Sequence, residues 1–260
     1  MTSSKQLQDK VAVITGAGRG IGRSIALGFA EEGAHVVAVS RTQSEIDAVA
    51  QEASKFNVKS LAIRTDIIQE EQVEEMVKRT LAAFDRIDIL VNDAGISGPT
   101  DFITEIKTKD WDTTLNINLR GMFFCARAVL PQMIKQKRGN IINVTSGAGY
   151  RTKDQVFLSP TRSLVYSVSK HGVQGFTTAL AAQVNKYNIN VNALSPGPID
   201  TKGQHRNASP AKKLLVRDNP DCIKGVAIYL ASQGPRGITG ETVYSLTWDK
   251  IYLDRDLTSE

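Results

Sequence analysis

The sequence predicts an α/β protein: a single doubly wound domain with a seven-stranded parallel sheet and helices on both faces. Three observations predict it. Short apolar runs of strand type alternate with segments of helical period along the chain. No linker or low-complexity stretch interrupts the alternation, so residues 1–260 read as one domain, with a core over about 9–246 and a tail over 247–260. Each pair of successive strands is separated by enough chain for a helix, and a helical crossover returns the next strand parallel to the last.

The elements follow in order. Val-Ala-Val-Ile-Thr over 11–15 is the first strand, followed by a glycine-rich turn and an amphipathic helix over 19–32. Strand two spans 35–40, helix two 43–56 and strand three 60–64. Over 69–84, Val73, Met76, Val77 and Leu81 recur at the spacing of one helix face. Strand four is 88–92, and one long helix is expected over 110–137. Strand five covers 141–145, a helix 166–187 and strand six 189–195. A helix over 221–232 and a strand over 241–246 complete the series.

Composition narrows the function classes. The 260 residues are 41 % apolar and 23 % charged, which excludes a disordered or collagen-like chain. Apolar runs such as 11–14 are too short to span a bilayer, and the first residues, Met-Thr-Ser-Ser-Lys-Gln, lack an apolar signal region. Cys125 and Cys222 form no disulfide framework and no metal-ligand spacing, and His35, His171 and His205 are too dispersed for a metal site. A reduced, cytoplasmic protein without membrane or metal is expected. The net charge is +5, but Lys and Arg are scattered. Their densest cluster, Lys135, Lys137 and Arg138, closes a helix where cations suit the helix dipole, so no nucleic-acid partner is expected.

In a doubly wound sheet, ligands bind beyond the carboxyl ends of the strands. The first such loop is Thr15-Gly16-Ala17-Gly18-Arg19-Gly20-Ile21-Gly22. With isoleucine at 21 it departs from G-x-G-x-x-G and fits G-x-x-x-G-x-G. Glycine allows the sharp turn and close approach that a pyrophosphate needs, and the helix N-terminus that follows offers N–H groups and a positive dipole end. The second constellation is Tyr166-Ser167-Val168-Ser169-Lys170, with Tyr and Lys on one helix face. A lysine cation beside a phenol favours the phenolate, which suits proton exchange with a carbonyl oxygen. Alone, Tyr-x-x-x-Lys usually marks an exposed helix face.

Around it further motifs occur in order: Asn92-Asp93-Ala94-Gly95, Asn118, Ser146, and Pro196-Gly197-Pro198-Ile199-Asp200-Thr201. Together these resemble the classical short-chain dehydrogenase/reductase family, from about residue 9 to residue 246. The resemblance implies that Gly16, Gly20 and Gly22, with Ile21 between them, hold a cofactor pyrophosphate. It places Asp66 at the adenine amino group with Ile67 beside it, and Asn92, Ala94 and Gly95 near the adenosine ribose. Pro196, Gly197, Ile199 and Thr201 would meet the nicotinamide. The implied catalytic set is Asn118, Ser146, Tyr166 and Lys170. Ser146 would hydrogen-bond the substrate oxygen and Tyr166 would be the general acid/base. Lys170 would tune Tyr166 and bind the nicotinamide ribose, and Asn118 would hold a relay water. Asn116 competes for that last role, with Trp111 and Leu119-Arg120-Gly121 favouring Asn118.

Departures from the family pattern bear on substrate. Asp93 replaces a second asparagine. Ser146 and Tyr166 stand 20 positions apart, wider than is usual, and the extra residues lie within 149–163. That insertion is expected to form part of the pocket wall. The loop after Thr201 is short, and Ser245-Leu246-Thr247-Trp248 replaces the usual Asp-Gly-Gly. The cofactor expected is NADP(H) over NAD(H): strand two ends in Ser40 and Arg41, where an acid would select a ribose 2′-hydroxyl, and Arg41 and Arg19 can reach a 2′-phosphate. The expected activity is hydride transfer between nicotinamide and a ketone, aldehyde or secondary alcohol. The alternatives are a 3-ketoacyl-thioester reductase of the same family and a non-catalytic dinucleotide sensor. Family likeness implies a homotetramer, with a dimer next.

Overall fold

The computed structural model describes residues 5–147, 163–197, 199, 219–235 and 237–253. Seven parallel strands form one sheet: β1 (Val11–Thr15), β2 (His35–Ser40), β3 (Ser60–Arg64), β4 (Ile89–Asn92), β5 (Gly139–Val144), β6 (Ile189–Ser195) and β7 (Thr242–Tyr244). Their order is β3-β2-β1-β4-β5-β6-β7, so the chain reverses direction across the sheet between β1 and β4. The helices are α1 (Gly20–Glu31), α2 (Gln43–Ser54), α3 (Glu70–Phe84), α4 (Thr108–Leu115), α5 (Gly121–Gln136), α6 (Leu164–Val184) and α7 (Lys224–Ser232).

Burial on both faces explains why the strands read as continuous apolar runs. Successive side chains point to opposite faces. Ala12 and Ile14 of β1 pack with Ile25 and Phe29 of α1, Ile46 of α2 and Leu230 of α7. Val11 and Val13 pack with Met76 of α3, Cys125 and Met133 of α5 and Leu180 of α6. The base of the sheet is pinned by Asp88, whose carboxylate accepts from the Val11 N–H at 2.9 Å and from Arg86 Nη2 at 2.6 Å.

The structure corrects four expectations about elements. The single helix over 110–137 is two helices, α4 and α5, joined by a π-helical turn at Asn116–Arg120. The helix over 221–232 begins as a 3-10 turn, Pro220–Ile223, and the last strand keeps only Thr242–Tyr244 of 241–246. β5 begins two residues earlier than its apolar run because Gly139 and Asn140 pair with Ile189 and Asn190 of β6. Pairing there overrides the low strand propensity of Gly and Asn.

Candidate active site

A cleft of about 520 Å³ opens beyond the carboxyl ends of β1 and β4, at the reversal of strand order. Its floor is the glycine-rich turn. Gly16 has φ +69°, and a Cβ there would lie 2.9 Å from the Ala94 backbone N; a Cβ on Gly22 would lie 2.5 Å from the Gly16 carbonyl oxygen. Side chains are excluded by this contact with backbone, which leaves a cradle of peptide groups at the start of α1. Thr15 Oγ1 fixes the turn against the neighbouring strand by accepting from the N–H groups of Asp93 (3.1 Å) and Ala94 (3.3 Å) while donating to the Val91 carbonyl.

The motif of Tyr and Lys lies at the other end of the cleft. Ser163 caps α6, its hydroxyl accepting from the Tyr166 N–H at 3.2 Å. Tyr166 and Lys170 both line the cleft one turn apart, with Lys170 Nζ 5.6 Å from the centre of the Tyr166 ring. Lys170 is buried and donates to the Val144 carbonyl at 2.8 Å, and Thr145 Oγ1 donates back to the Lys170 carbonyl. These bonds tie α6 to the end of β5, where Ser146 enters the cleft wall.

Asn118 sits behind that wall. Its side chain accepts from the Ile96 N–H and donates to the Ile96 carbonyl and to Ser169 Oγ, each at 2.9 Å. Ser169 precedes Lys170, so the π turn that carries Asn118 is clamped directly to the helix of Tyr166. Asn116 makes no such contact among the bonds of the described residues. A π turn inside a helix is a frequent mark of a functional site.

The remaining expected residues fall into three groups. Gly16, Arg19, Gly20, Ile21, Ser40, Arg41, Asp66, Ile67, Ala94, Gly95, Pro196, Gly197 and Ile199 all line the cleft. Gly22 and Asn92 stand behind it; the Asn92 amide donates to Asn143 Oδ1 at 2.9 Å, bracing β4 against β5. Thr201 and the insertion over 149–162 lie outside the described residues.

Two carboxylates had not been assigned to the site from sequence. Asp93 Oδ2 lies against Gly16 and Gly22 and within the field of Lys170. Burial pushes the Asp93 carboxyl up, to about 7, against the pull of Lys170 and of the Gly22 N–H; burial pushes the Lys170 ammonium down, to about 8, against the pull of Asp93. Glu45 reaches the cleft from the first turn of α2 and pairs with Arg19 at 3.7 Å. The signal for Asp93 was its departure from asparagine in the motif; Glu45 carried none. Among the described residues no cluster of three or more His, Cys, Asp or Glu could hold a metal ion, and no helix is long and apolar enough to cross a membrane.

Residues 10–212 match the family model for short chain dehydrogenases. The chain belongs to the short-chain dehydrogenase/reductase family. This short-chain dehydrogenase/reductase is 33 % identical over 245 residues to the 3-oxoacyl-(acyl-carrier-protein) reductase FabG of Thermotoga maritima, covering 92 % of this chain and 96 % of the relative. An NAD+-bound xylitol dehydrogenase superposes with a TM-score of 0.79 at 26 % identity, over 92 % of this chain and 98 % of the other. A metagenomic short-chain oxidoreductase in complex with NADP superposes with a TM-score of 0.76 at 29 % identity, over the same shares of the two chains. The protein is therefore an oxidoreductase of a family that works with a nicotinamide dinucleotide. Both forms of that cofactor occur on this fold, so the choice between them rests with individual side chains.

Proposed function

We propose that the protein interconverts a ketone or aldehyde and the matching secondary or primary alcohol, using NADP(H) in preference to NAD(H), with Tyr166 as general acid/base. The observation that carries this reading is the buried Lys170 ammonium 5.6 Å from the Tyr166 ring, in the same cleft as Ser146. A cation facing a phenol favours the phenolate, and the phenol can then pass its proton to a carbonyl oxygen that Ser146 hydrogen-bonds. The side-chain amide of Asn118 is committed to Ile96 and Ser169. Its relay water therefore falls to the backbone of the π turn.

The cradle fits a dinucleotide. Gly16, Gly20, Ile21 and Gly22 with the N-terminus of α1 would hold the pyrophosphate, Asp66 and Ile67 the adenine, and Ala94 and Gly95, backed by Asn92, the adenosine side. Pro196, Gly197, Ile199 and Thr201 would hold the nicotinamide, and Lys170 its ribose. When bound, the nicotinamide supplies or accepts the hydride. Ser40, Arg41 and Arg19 at the end of β2 and in the glycine turn support NADP(H), because guanidinium–phosphate bonds are charge-assisted and worth about 1.5–3 kcal/mol each.

A second reading, a 3-ketoacyl-thioester reductase, is favoured by the name of the Thermotoga maritima relative. Incubation with NADPH and a panel of simple ketones alongside an acetoacetyl thioester, followed by absorbance, separates the two. Tyr166→Phe is expected to abolish turnover and leave cofactor binding nearly intact. More than about a tenth of wild-type activity in that variant would remove Tyr166 from the role, since a general acid contributes about 10²–10⁴-fold. The exposed apolar side chains Phe123 on α5 and Leu164 and Val168 on α6 support pairing of copies, and the proposed assembly is a homotetramer, with a dimer next, of a cytoplasmic protein.

A further inference from the structure

The choice between dinucleotides is made where a ribose 2′-substituent would lie, and the inference rests on reading the cleft as a nicotinamide dinucleotide site. Arg19, Ser40, Arg41 and Glu45 line that corner together. No acid stands at the end of β2; the acid of this corner comes instead from the first turn of α2, where a helix N-terminus suits a negative side chain. One carboxylate oxygen of Glu45 lies 3.7 Å from Arg19 Nη1. The other leans over Gly18: a Cβ on Gly18 would stand 2.7 Å from Glu45 Oε2 and 3.4 Å from Ser40 Oγ. Acid, hydroxyl and guanidinium thus occupy one small space. On the far side, the Arg64 Nε donates to the Arg41 carbonyl at 3.2 Å and holds the backbone of the second guanidinium against β3.

We propose that Glu45 is a specificity-determining residue that narrows the preference for a 2′-phosphorylated dinucleotide. It does so in two ways. It draws Arg19 into an ion pair at 3.7 Å that competes with a 2′-phosphate, and it places a carboxylate where the phosphate charge would come. Towards an unphosphorylated ribose the same oxygens are acceptors for the 2′-hydroxyl, the task an acid at the end of β2 performs elsewhere on this fold. Arg19 and Arg41 pull towards NADP(H) and Glu45 pulls back.

The test is calorimetric titration of the purified, cofactor-free protein with 2′,5′-ADP and with 5′-AMP, two fragments that differ only at the 2′ position, repeated with NADPH and NADH. In Glu45→Gln the ratio of the 5′-AMP Kd to the 2′,5′-ADP Kd is expected to rise about tenfold at low ionic strength, mainly through tighter 2′,5′-ADP binding, a change worth ~1.4 kcal/mol. Glu45→Ala must move the ratio the same way. A rise below threefold in both variants, or a fall, overturns the proposal. The wild-type ratio answers a different question: if 5′-AMP binds more tightly, the NADP(H) preference fails while a rise in the variants still upholds the role of Glu45. If neither fragment binds the wild type, the dinucleotide reading and this inference fall together.

Discussion

Asp93, against the glycine turn, and Lys170 act on each other across the cleft, and burial opposes the charge on each while their mutual attraction supports it. The Asp93 carboxyl, raised to about 7 in the fold, binds a proton more readily there than in the unfolded chain. By linkage the stability it contributes is present at low pH and is lost as pH climbs from about 4 through about 7. Asp93→Asn removes that loss. Calorimetric melting of the cofactor-free protein is expected to show the variant gaining on the wild type by several °C between pH 5 and pH 7, since that window below a folded value of about 7 is worth ~2 kcal/mol. A constant difference across that window would mean that Asp93 keeps an ordinary titration. In the proposed mechanism Lys170 both tunes Tyr166 and holds the nicotinamide ribose, so Lys170→Ala is expected to lose both turnover and cofactor affinity, whereas Tyr166→Phe is expected to lose turnover alone; fluorescence titration with NADPH distinguishes the two patterns.

At the scale of elements, the turn between β1 and α1 is set by contact rather than by helix propensity. Alanine is favoured over glycine inside a helix by about 0.5–1 kcal/mol, which alone would make Gly22→Ala stabilising. The added Cβ would meet the Gly16 carbonyl oxygen at 2.5 Å and Asp93 Oδ2 at 2.7 Å. Overpacking against rigid backbone costs about 1–3 kcal/mol, so the contact wins. Gly22→Ala is expected to lower Tm and weaken NADPH binding together, and a variant as stable as wild type would show that the cradle has room to spare. The π turn between α4 and α5 follows the same logic. Asn118 buries its amide on Ile96 and Ser169, and one widened turn of helix brings it there.

For the whole molecule, the two helix layers leave α5 and α6 with apolar side chains in solvent. Phe123 is 40 % exposed, Leu164 37 % and Val168 42 %. On a single chain these are loose ends, and pairing of copies through α5 and α6 would cover them. Light scattering at micromolar concentration is expected to find a tetramer, or a dimer if only one pair of faces closes. A particle of 28.3 kDa would refute both. At the other end of the sheet, Trp248 fills the place against Gly225 and lies 5.4 Å, ring to ring, from Tyr229, which stands 5.8 Å from Tyr252. This aromatic cluster closes α7 over the short last strand, where the family pattern would have had Asp-Gly-Gly.

The strand and helix order, the glycine turn and the pairing of Tyr166 with Lys170 were legible in the sequence, because each depends on neighbours a few positions away. Apolar period, turn chemistry and i, i+4 spacing are local quantities. The same holds for β1, β2, β3 and β6, whose ends match the apolar runs. What the sequence could not disclose depends on residues brought together from afar. β5 gains Gly139 and Asn140 from pairing with β6, and the expected long helix breaks at Asn118 because Ile96 and Ser169 hold its amide. Glu45 looks like any acid in a first helical turn until Arg19, 26 positions earlier, meets it in one corner of the cleft. The titration of Asp93 is set first by its burial, and is opposed by Lys170, which lies 77 positions away in the chain. Local sequence determined which elements form and which chemistry they can carry. Tertiary packing decided which charges share a space, since Coulomb forces and burial act through distance in the fold and not along the chain.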